Sequence, residues 1–349
     1  MTQRSSVVAR AVTLSSILLA AACSGSGGGG SNTNTPPTTP SNPNPPTTQV
    51  NTWSAAGQVV VNGSTQGVGG ATLTPGWSLA AVTADAQGNY LLGDVPNPPS
   101  TPYPVSVSAP GMVTRDVWIT WARGPRTGVN VDLIRNAAPF SMDFYRQFAR
   151  GTFDYQASDG APFALQRWTT APSFYVKTVD QNGRPIEPEV LARVYDGIRA
   201  AVPAFTGGVY SVAALETGTA ARDQAINWIN VDIRRDPNEK IVCGFSHIGT
   251  NPGAIVLNDD VCSCGSNKIP GAVAMHEVGH ALGFFHVGDR SSLMFPIVAG
   301  DCPAGALSAA ESYHAKLAYT RSRFNTDPDH DQPSNAALTA SRGTPLILR

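Results

Sequence analysis

Three of the chain's six histidines fall within eleven consecutive positions, His276-Glu277-Val278-Gly279-His280-Ala281-Leu282-Gly283-Phe284-Phe285-His286. His276 and His280 are four residues apart, which on an α-helix leaves them roughly 40° apart in projection and about 6 Å apart along the axis. Two imidazoles so placed can share one metal ion, and Glu277 sits where it can act on water bound to that metal. If the helix ran on, His286 would lie about 15 Å along the axis from His276, too far to join them. Gly283 supplies the break, because a glycine just past the last helical turn adopts the left-handed conformation that turns the chain sharply. His286 can then swing back to complete a three-nitrogen site, and a catalytic zinc keeps its fourth position open for water.

Beyond His286 the chain reads Ser291-Ser292-Leu293-Met294-Phe295-Pro296. HExxHxxGxxH followed by a methionine-bearing turn resembles the metzincin zinc endopeptidases. The short gap to the turn, and Asp289 three residues after the last histidine, look most like the matrixin branch. The resemblance implies that His276, His280 and His286 bind zinc, that Glu277 is the general base and acid, and that Met294 forms an apolar floor beneath the metal. Phe295 stands where several relatives carry tyrosine, and a phenyl ring has no metal or oxyanion chemistry. Val287-Gly288 is not a matrixin signature.

The N-terminal residues read as an export signal, so the chain is expected to be exported. Arg4 and Arg10 precede a short apolar run, Ala11–Ala22, that ends in small residues at Cys23, as in an export signal. Leu19-Ala20-Ala21-Ala22-Cys23 resembles a bacterial lipobox, so residues 1–23 are expected to be a lipoprotein signal peptide with Cys23 as the lipid attachment site. A secretory peptide with an incidental cysteine is the alternative. Residues 24–50 are almost entirely Ser, Gly, Asn, Thr and Pro, a disordered linker that holds a domain away from a membrane, here through the anchor at Cys23. Ser24 after the cysteine favours an outer membrane by the same resemblance. With 24 basic and 25 acidic residues and no basic cluster, the charge does not point to nucleic acid.

Four further cysteines, Cys243, Cys262, Cys264 and Cys302, make an even set, which in an exported chain reads as two disulfides. Cys262 and Cys264 are too close to pair comfortably, so Cys243 is expected to take one of them and Cys302 the other; a second, structural zinc site competes with that reading.

The fold class expected is multidomain, an N-terminal all-β sandwich followed by an α+β zinc protease domain of metzincin type. Over 51–136, strand candidates (Gly57–Val61, Val105–Ala109, Thr114–Thr120, Val129–Leu133) alternate with turn signals such as Asn62-Gly63 and Asp85–Asn89, and no helical period appears. The stretch resembles the carboxypeptidase regulatory-like, transthyretin-type sandwich, on Gly57, Gly70-Ala71, Thr83-x-Asp85-x-x-Gly88-x-Tyr90 and Ala109-Pro110-Gly111. It shows no constellation of titratable groups and reads as a spacer or stability module, with a substrate-binding role as the alternative. Over 137–326 the expected order is a strand (Phe174–Val176), a helix (Glu187–Val202), strands (Val209–Leu215, Ile229–Ile233, Ile241–Phe245, Ala254–Leu257) and the metal helix over about Pro270–Leu282. Ser308-Ala309-Ala310-Glu311 is a capping box that opens a helix to about Phe324. His247 and His314 read as ordinary polar residues.

Asn325-x-Asp327-x-Asp329-x-Asp331 alternates carboxylates in a way that suits calcium, yet it lacks the central glycine and twelfth-position glutamate of a calcium loop. A solvated run within a disordered tail, 327–349, is expected instead. The chemistry expected is hydrolysis of a protein or peptide substrate. Its rivals are a surface-anchored binding lipoprotein with a non-catalytic zinc scaffold, and an amidase acting on cell-wall peptides.

Overall fold

The computed structural model describes residues 52–76, 79–96, 102–155, 162–235, 243–259, 263–264, 267–268, 271–296, 305–333 and 347–348. The expected leader and linker, with Cys23, Cys262 and Cys302, lie outside the described residues, and Cys264 is described in its backbone alone.

Strands β1 (Thr52–Val61), β2 (Thr72–Pro75), β3 (Val82–Thr83), β4 (Asn89–Pro96), β5 (Tyr103–Ser108), β6 (Arg115–Ile119), β7 (Ala122–Arg126) and β8 (Val131–Leu133) make the β-rich first part. One sheet is built on β1, antiparallel to β4 and parallel to β7 and then β8 along its length. The other runs β3-β2-β5-β6, antiparallel throughout. Period-two alternation sends Val105 and Val107 of β5 and Val131 and Leu133 of β8 inward, where they meet Ala55, Val59, Leu73, Leu92, Val117 and Ile119 in one core. Asp85 turns the chain into β4, its Oδ1 accepting from the backbone N–H groups of Gln87 and Asn89 at 2.9 and 2.8 Å. Arg115 breaks the alternation, occupying an inward position of β6 at 8% exposure.

The second part begins with α1 (Met142–Arg150), which sequence patterning did not flag. Its start and stop signals are present all the same. Ser141 caps it by accepting from Phe144 N, Asp143 lies in the first turn, and Gly151 ends it at φ 69°. There follow β9 (Ser173–Lys177), α2 (Pro188–Phe205), β10 (Ala214–Gly218), β11 (Trp228–Arg234), β12 (Gly244–His247), β13 (Gly253–Asn258), β14 (Ser263–Cys264), β15 (Asn267–Lys268), α3 (Gly271–Ala281), α4 (Ala309–Tyr319) and β16 (Ile347–Leu348). The main sheet has the order β10-β9-β11-β13-β12-β16. Its first four strands are parallel, and β12 runs antiparallel to β13 along the side that faces α3.

α2 runs one turn further than the expected Glu187–Val202, because Ala201, Val202 and Phe205 continue its buried stripe. β10 lies later than the expected Val209–Leu215, since Val209 is 54% exposed and the pairing with β9 starts at Ala214. α4 stops at Tyr319 instead of Phe324. The Thr320 hydroxyl donates back to Leu317 O at 2.7 Å, and Phe324 takes a positive φ of 65°.

The acidic run near the end is the largest departure. Expected to be solvated, Asp329 is 1% and Asn325 0% exposed. Arg146 forks onto Asp327 at 2.9 and 2.7 Å, Arg321 Nε reaches Asp329 at 2.8 Å, and Arg115 Nη2 reaches Asp331 at 2.8 Å. Arg115 and Arg321 also share Asp132 of β8. The segment is laid along β6: Asp116 N donates to Asp329 O at 3.1 Å, Asp331 N to Asp116 O at 2.9 Å, and Trp118 Nε1 to Asp331 O at 2.8 Å. Guanidinium groups from distant parts of the chain thus pair with these carboxylates, and residues 327–333 are part of the folded unit. The β-rich part accordingly holds two members of a charged constellation, Arg115 and Asp132, that the sequence reading did not find.

Candidate metal centre

α3 carries the motif through the interior. All its residues from Val273 to Ala281 are buried, so the helix has no solvent face and its polar residues must find partners inside. It ends as the glycine predicts. Gly283 N donates to His280 O at 2.8 Å and Phe284 N to Gly279 O at 3.0 Å, the paired bonds of a left-handed helix stop, with Gly283 at φ 108°. A Cβ at Gly283 would lie 1.4 Å from Gln166 O, so no other residue fits there.

The turn brings His286 back to the helix. The three Nε2 atoms converge, at 3.0 Å between His276 and His280 and 3.1 Å from His286 to each. Each Nδ1 faces an oxygen that can only accept: Leu293 O at 2.7 Å for His276, Phe284 O at 2.8 Å for His280, and Asp154 Oδ1 at 2.8 Å for His286. Each Nδ1 therefore carries the proton, and three unprotonated Nε2 lone pairs point at one another. Burial, and next the neighbouring His286, hold His276 down to about 3 against the upward pull of the Leu293 carbonyl. Burial and the two neighbouring imidazoles hold His280 well below the usual range. Three neutral nitrogens at this spacing fit a divalent metal, and among the described residues this is the one group of histidine, cysteine or acidic side chains able to hold one.

Glu277 is 4% exposed and points towards β12. Ser246 Oγ lies 2.8 Å from its Oε2 and donates to it, with Glu277 O at 2.9 Å as an alternative acceptor. A side chain at Gly244 would come within 2.7 Å of Glu277 Oε1, so the glycine leaves room for the carboxylate. Burial pushes Glu277 up to about 8, the Ser246 hydroxyl pulling the other way.

Met294 is fully buried, with its sulfur 2.8 Å from where a Cβ on Gly279 would be, directly under the motif helix. Glu311 fixes this turn. Besides closing the capping box with Ser308, its carboxylate accepts from Leu293 N at 3.1 Å and Met294 N at 2.8 Å. Phe295 lies under the Arg290 guanidinium, 5.5 Å from ring centre to Cζ. Asp289 accepts from Ser291 N and Oγ within its own turn. His314 is buried away from the triad, its Nδ1 on Ala310 O at 2.7 Å and its Nε2 accepting from Ser141 N at 3.1 Å. His247, on β12, is not part of the metal group. Cys243 is buried at the start of β12, and the pairing expected of the four cysteines falls outside the described residues.

Two contributors were not found from sequence. Asp154 binds the third ligand from 132 positions away, and Ser246 binds Glu277 from 31 away. Neither lies in a motif; only the capping-box glutamate, Glu311, carried a local signal.

Residues 216–311 match the family model described as Matrixin, a stretch that contains the whole triad, Glu277 and Met294. The match supports a matrixin-like metallopeptidase domain. No curated protein matches the chain. Solved structures similar to parts of it include a type II cohesin–X-dockerin complex from Acetivibrio cellulolyticus, at 11% identity and a TM-score of 0.18, with 23% of this chain and 55% of that one covered. Another is a DUF3823 family protein from Parabacteroides merdae, at 13% identity and a TM-score of 0.19, with 24% and 46% covered. The chain thus spans about half the length of these structures, and at such TM-scores neither bears on the fold or the site.

Proposed function

We propose that this protein is a zinc-dependent endopeptidase that cleaves extracellular or surface proteins, with His276, His280 and His286 as the metal ligands and Glu277 as general base. The observation that carries the reading is the meeting of three Nε2 atoms at 3.0 to 3.1 Å while every Nδ1 is already committed. Such an arrangement of lone pairs is repulsive unless a cation lies among them. Zinc held there by His276, His280 and His286 would supply a Lewis acid that activates water and polarises a peptide carbonyl. Glu277 takes the proton of the attacking water and returns it to the leaving amine. Ser246 holds the carboxylate for that transfer, and the buried surroundings keep bulk water from the base.

Glu277→Gln should keep zinc at full occupancy while turnover of a quenched peptide library falls about 10²- to 10⁴-fold, the usual contribution of general acid–base catalysis. Near-normal turnover in a zinc-loaded variant would take the role away from Glu277. We propose further that the protein is exported and anchored in a membrane through an acylated Cys23. A fatty-acid label that persists in Cys23→Ser would refute the anchor.

A further inference from the structure

Of the three histidines, only His286 stands outside a helix. His276 and His280 are aimed by α3 itself and lean on main-chain carbonyls of the segments that follow it. His286 lies on a loop, beyond a left-handed glycine, where nothing in its own segment sets the direction of its ring. Its partner comes from elsewhere. The carboxylate of Asp154 accepts from His286 Nδ1 at 2.8 Å through one oxygen and from His286 N at 2.9 Å through the other. Backbone and ring of the same residue are thus clamped by one side chain, itself 10% exposed.

The strand of chain that delivers Asp154 is built to do so. Gly151 ends α1 in the left-handed region, with Phe285 so close that a Cβ would meet its ring at 2.8 Å. Phe285 N donates to Phe148 O at 2.8 Å, and the Phe148 ring stacks on Phe284 at 4.4 Å. Tyr155, the residue after Asp154, meets Phe285 edge-on at 6.3 Å, and Phe163 stacks on the same ring at 5.8 Å. Arg150, 0% exposed, donates to Asn325 O at 2.8 Å and pins the end of α1 from the other side. Aromatic packing therefore fixes the turn 151–155 against the loop 284–287 before any metal arrives.

We propose that Asp154 is the positioning residue of the third metal ligand. It fixes the ring of His286 with Nε2 towards the other two and sets a carboxylate in direct contact with the histidine triad. An anion bonded to the far nitrogen makes an imidazole a stronger donor and lowers the cost of bringing a dication among three neutral ligands. The inference rests on the zinc reading proposed above and adds to it a residue that never touches substrate or metal.

Full-length protein and the variants Asp154→Ala, Asp154→Asn and Gln147→Ala test it, with the zinc dissociation constant measured by competition against a chromogenic chelator. Asp154→Ala should raise that constant about 10- to 100-fold. Asp154→Asn should fall between, since the amide oxygen can still accept from Nδ1–H while its NH₂ opposes the His286 backbone N–H. Gln147→Ala removes a different tie to the same loop, the bond from Gly288 N to Gln147 Oε1 at 2.9 Å, and should bind zinc like the wild type. Wild-type affinity in both Asp154 variants would overturn the proposal, and so would an equal loss in Gln147→Ala, which would mean that loosening the loop is enough. Should Asp154→Ala fail to fold, the Asn variant against Gln147→Ala still decides. A wild-type protein that takes up no zinc would remove the peptidase reading and this inference with it.

Discussion

Two of the places where the described residues bury polar groups solve the problem of charge in opposite ways. Between β6, β8 and the acidic run, the side chains Asp132, Asp329 and Asp331 are met by Arg115 and Arg321, so each carboxylate has its cation within the chain. Around α3 three imidazoles converge with, among the described residues, no cation between them, and the anion that bonds to them, Asp154, stands on the outer side of His286. A buried charge is tolerated only when it is paired, and buried lone pairs only when something donates to them or binds them. The first cluster pairs its charges within the chain. On the zinc reading proposed above, the second is completed by an ion, and that difference separates a structural clasp from a candidate metal site.

The largest expected effect comes from making the clasp resemble the site. Arg321 is 0% exposed and bridges Asp329 and Asp132, so Arg321→Ala leaves a buried carboxylate without its cation. Breaking one partner out of a buried pair costs about 3–5 kcal/mol, and urea unfolding should show a loss of that order. A loss below about 1 kcal/mol would mean that the clasp is decoration and that the β-rich part docks by other means.

Stripping the metal makes the complementary perturbation. Free zinc at about 100 times its dissociation constant stabilises the fold by about 2.7 kcal/mol, so excess chelator should lower the melting temperature accordingly and abolish peptide cleavage together. Acid then separates the clusters. In the metal-free protein His276 is held at about 3 against an ordinary 6.5, so between these values the unfolded chain takes up a proton that the native state refuses. Stability is therefore present above pH 6.5 and falls as pH drops towards 3. Burial raises Asp132, but Arg321 and Arg115 outweigh it and hold the carboxyl down to about 2 from 3.8, so its contribution is lost only as pH falls through that lower window. The Glu277 carboxyl, held at about 8, contributes in the opposite direction over the same window, so the test uses metal-free Glu277→Gln: a melting temperature flat from pH 6.5 to 4.5 in that variant would contradict the neutral, buried state assigned to His276.

The same contrast explains what could be read in advance. The triad was legible because its geometry is local: a four-residue step on a helix, a glycine stop and a third histidine three residues on. The Ser308–Glu311 capping box was legible for the same reason, although its second task, holding the turn of Met294, was not. The clasp was invisible because its meaning depends on Arg115, more than two hundred positions from Asp331, and alternate acids without their partners look solvated. Asp154 was hidden for the same reason. α1 is a different kind of miss, since Ser141, Asp143 and Gly151 mark both its ends and a search for caps, rather than for hydrophobic period, would have found it.

The smallest effect expected is also the most local. Gly279 lies between the two helical ligands, and a Cβ there would come within 2.5 Å of Phe205 Cζ and 2.8 Å of Met294 Sδ. Neither neighbour can retreat easily. Both are 0% exposed, and the Phe205 ring is stacked on Phe284 at 5.4 Å. Gly279→Ala should therefore carry an overpacking cost of about 1–3 kcal/mol, offset by the roughly 1 kcal/mol by which alanine is the better helix former. A net loss near 1 kcal/mol corresponds to about 2–4 °C in melting temperature for a domain of this size. Because the strain falls between the ligands and the methionine beneath them, zinc affinity should drop with it, whereas Arg321→Ala should leave the affinity of the surviving folded fraction unchanged. If Gly279→Ala proves as stable and as tight for zinc as the wild type, Met294 is not pressed against the motif helix, and the floor assigned to it must be sought elsewhere.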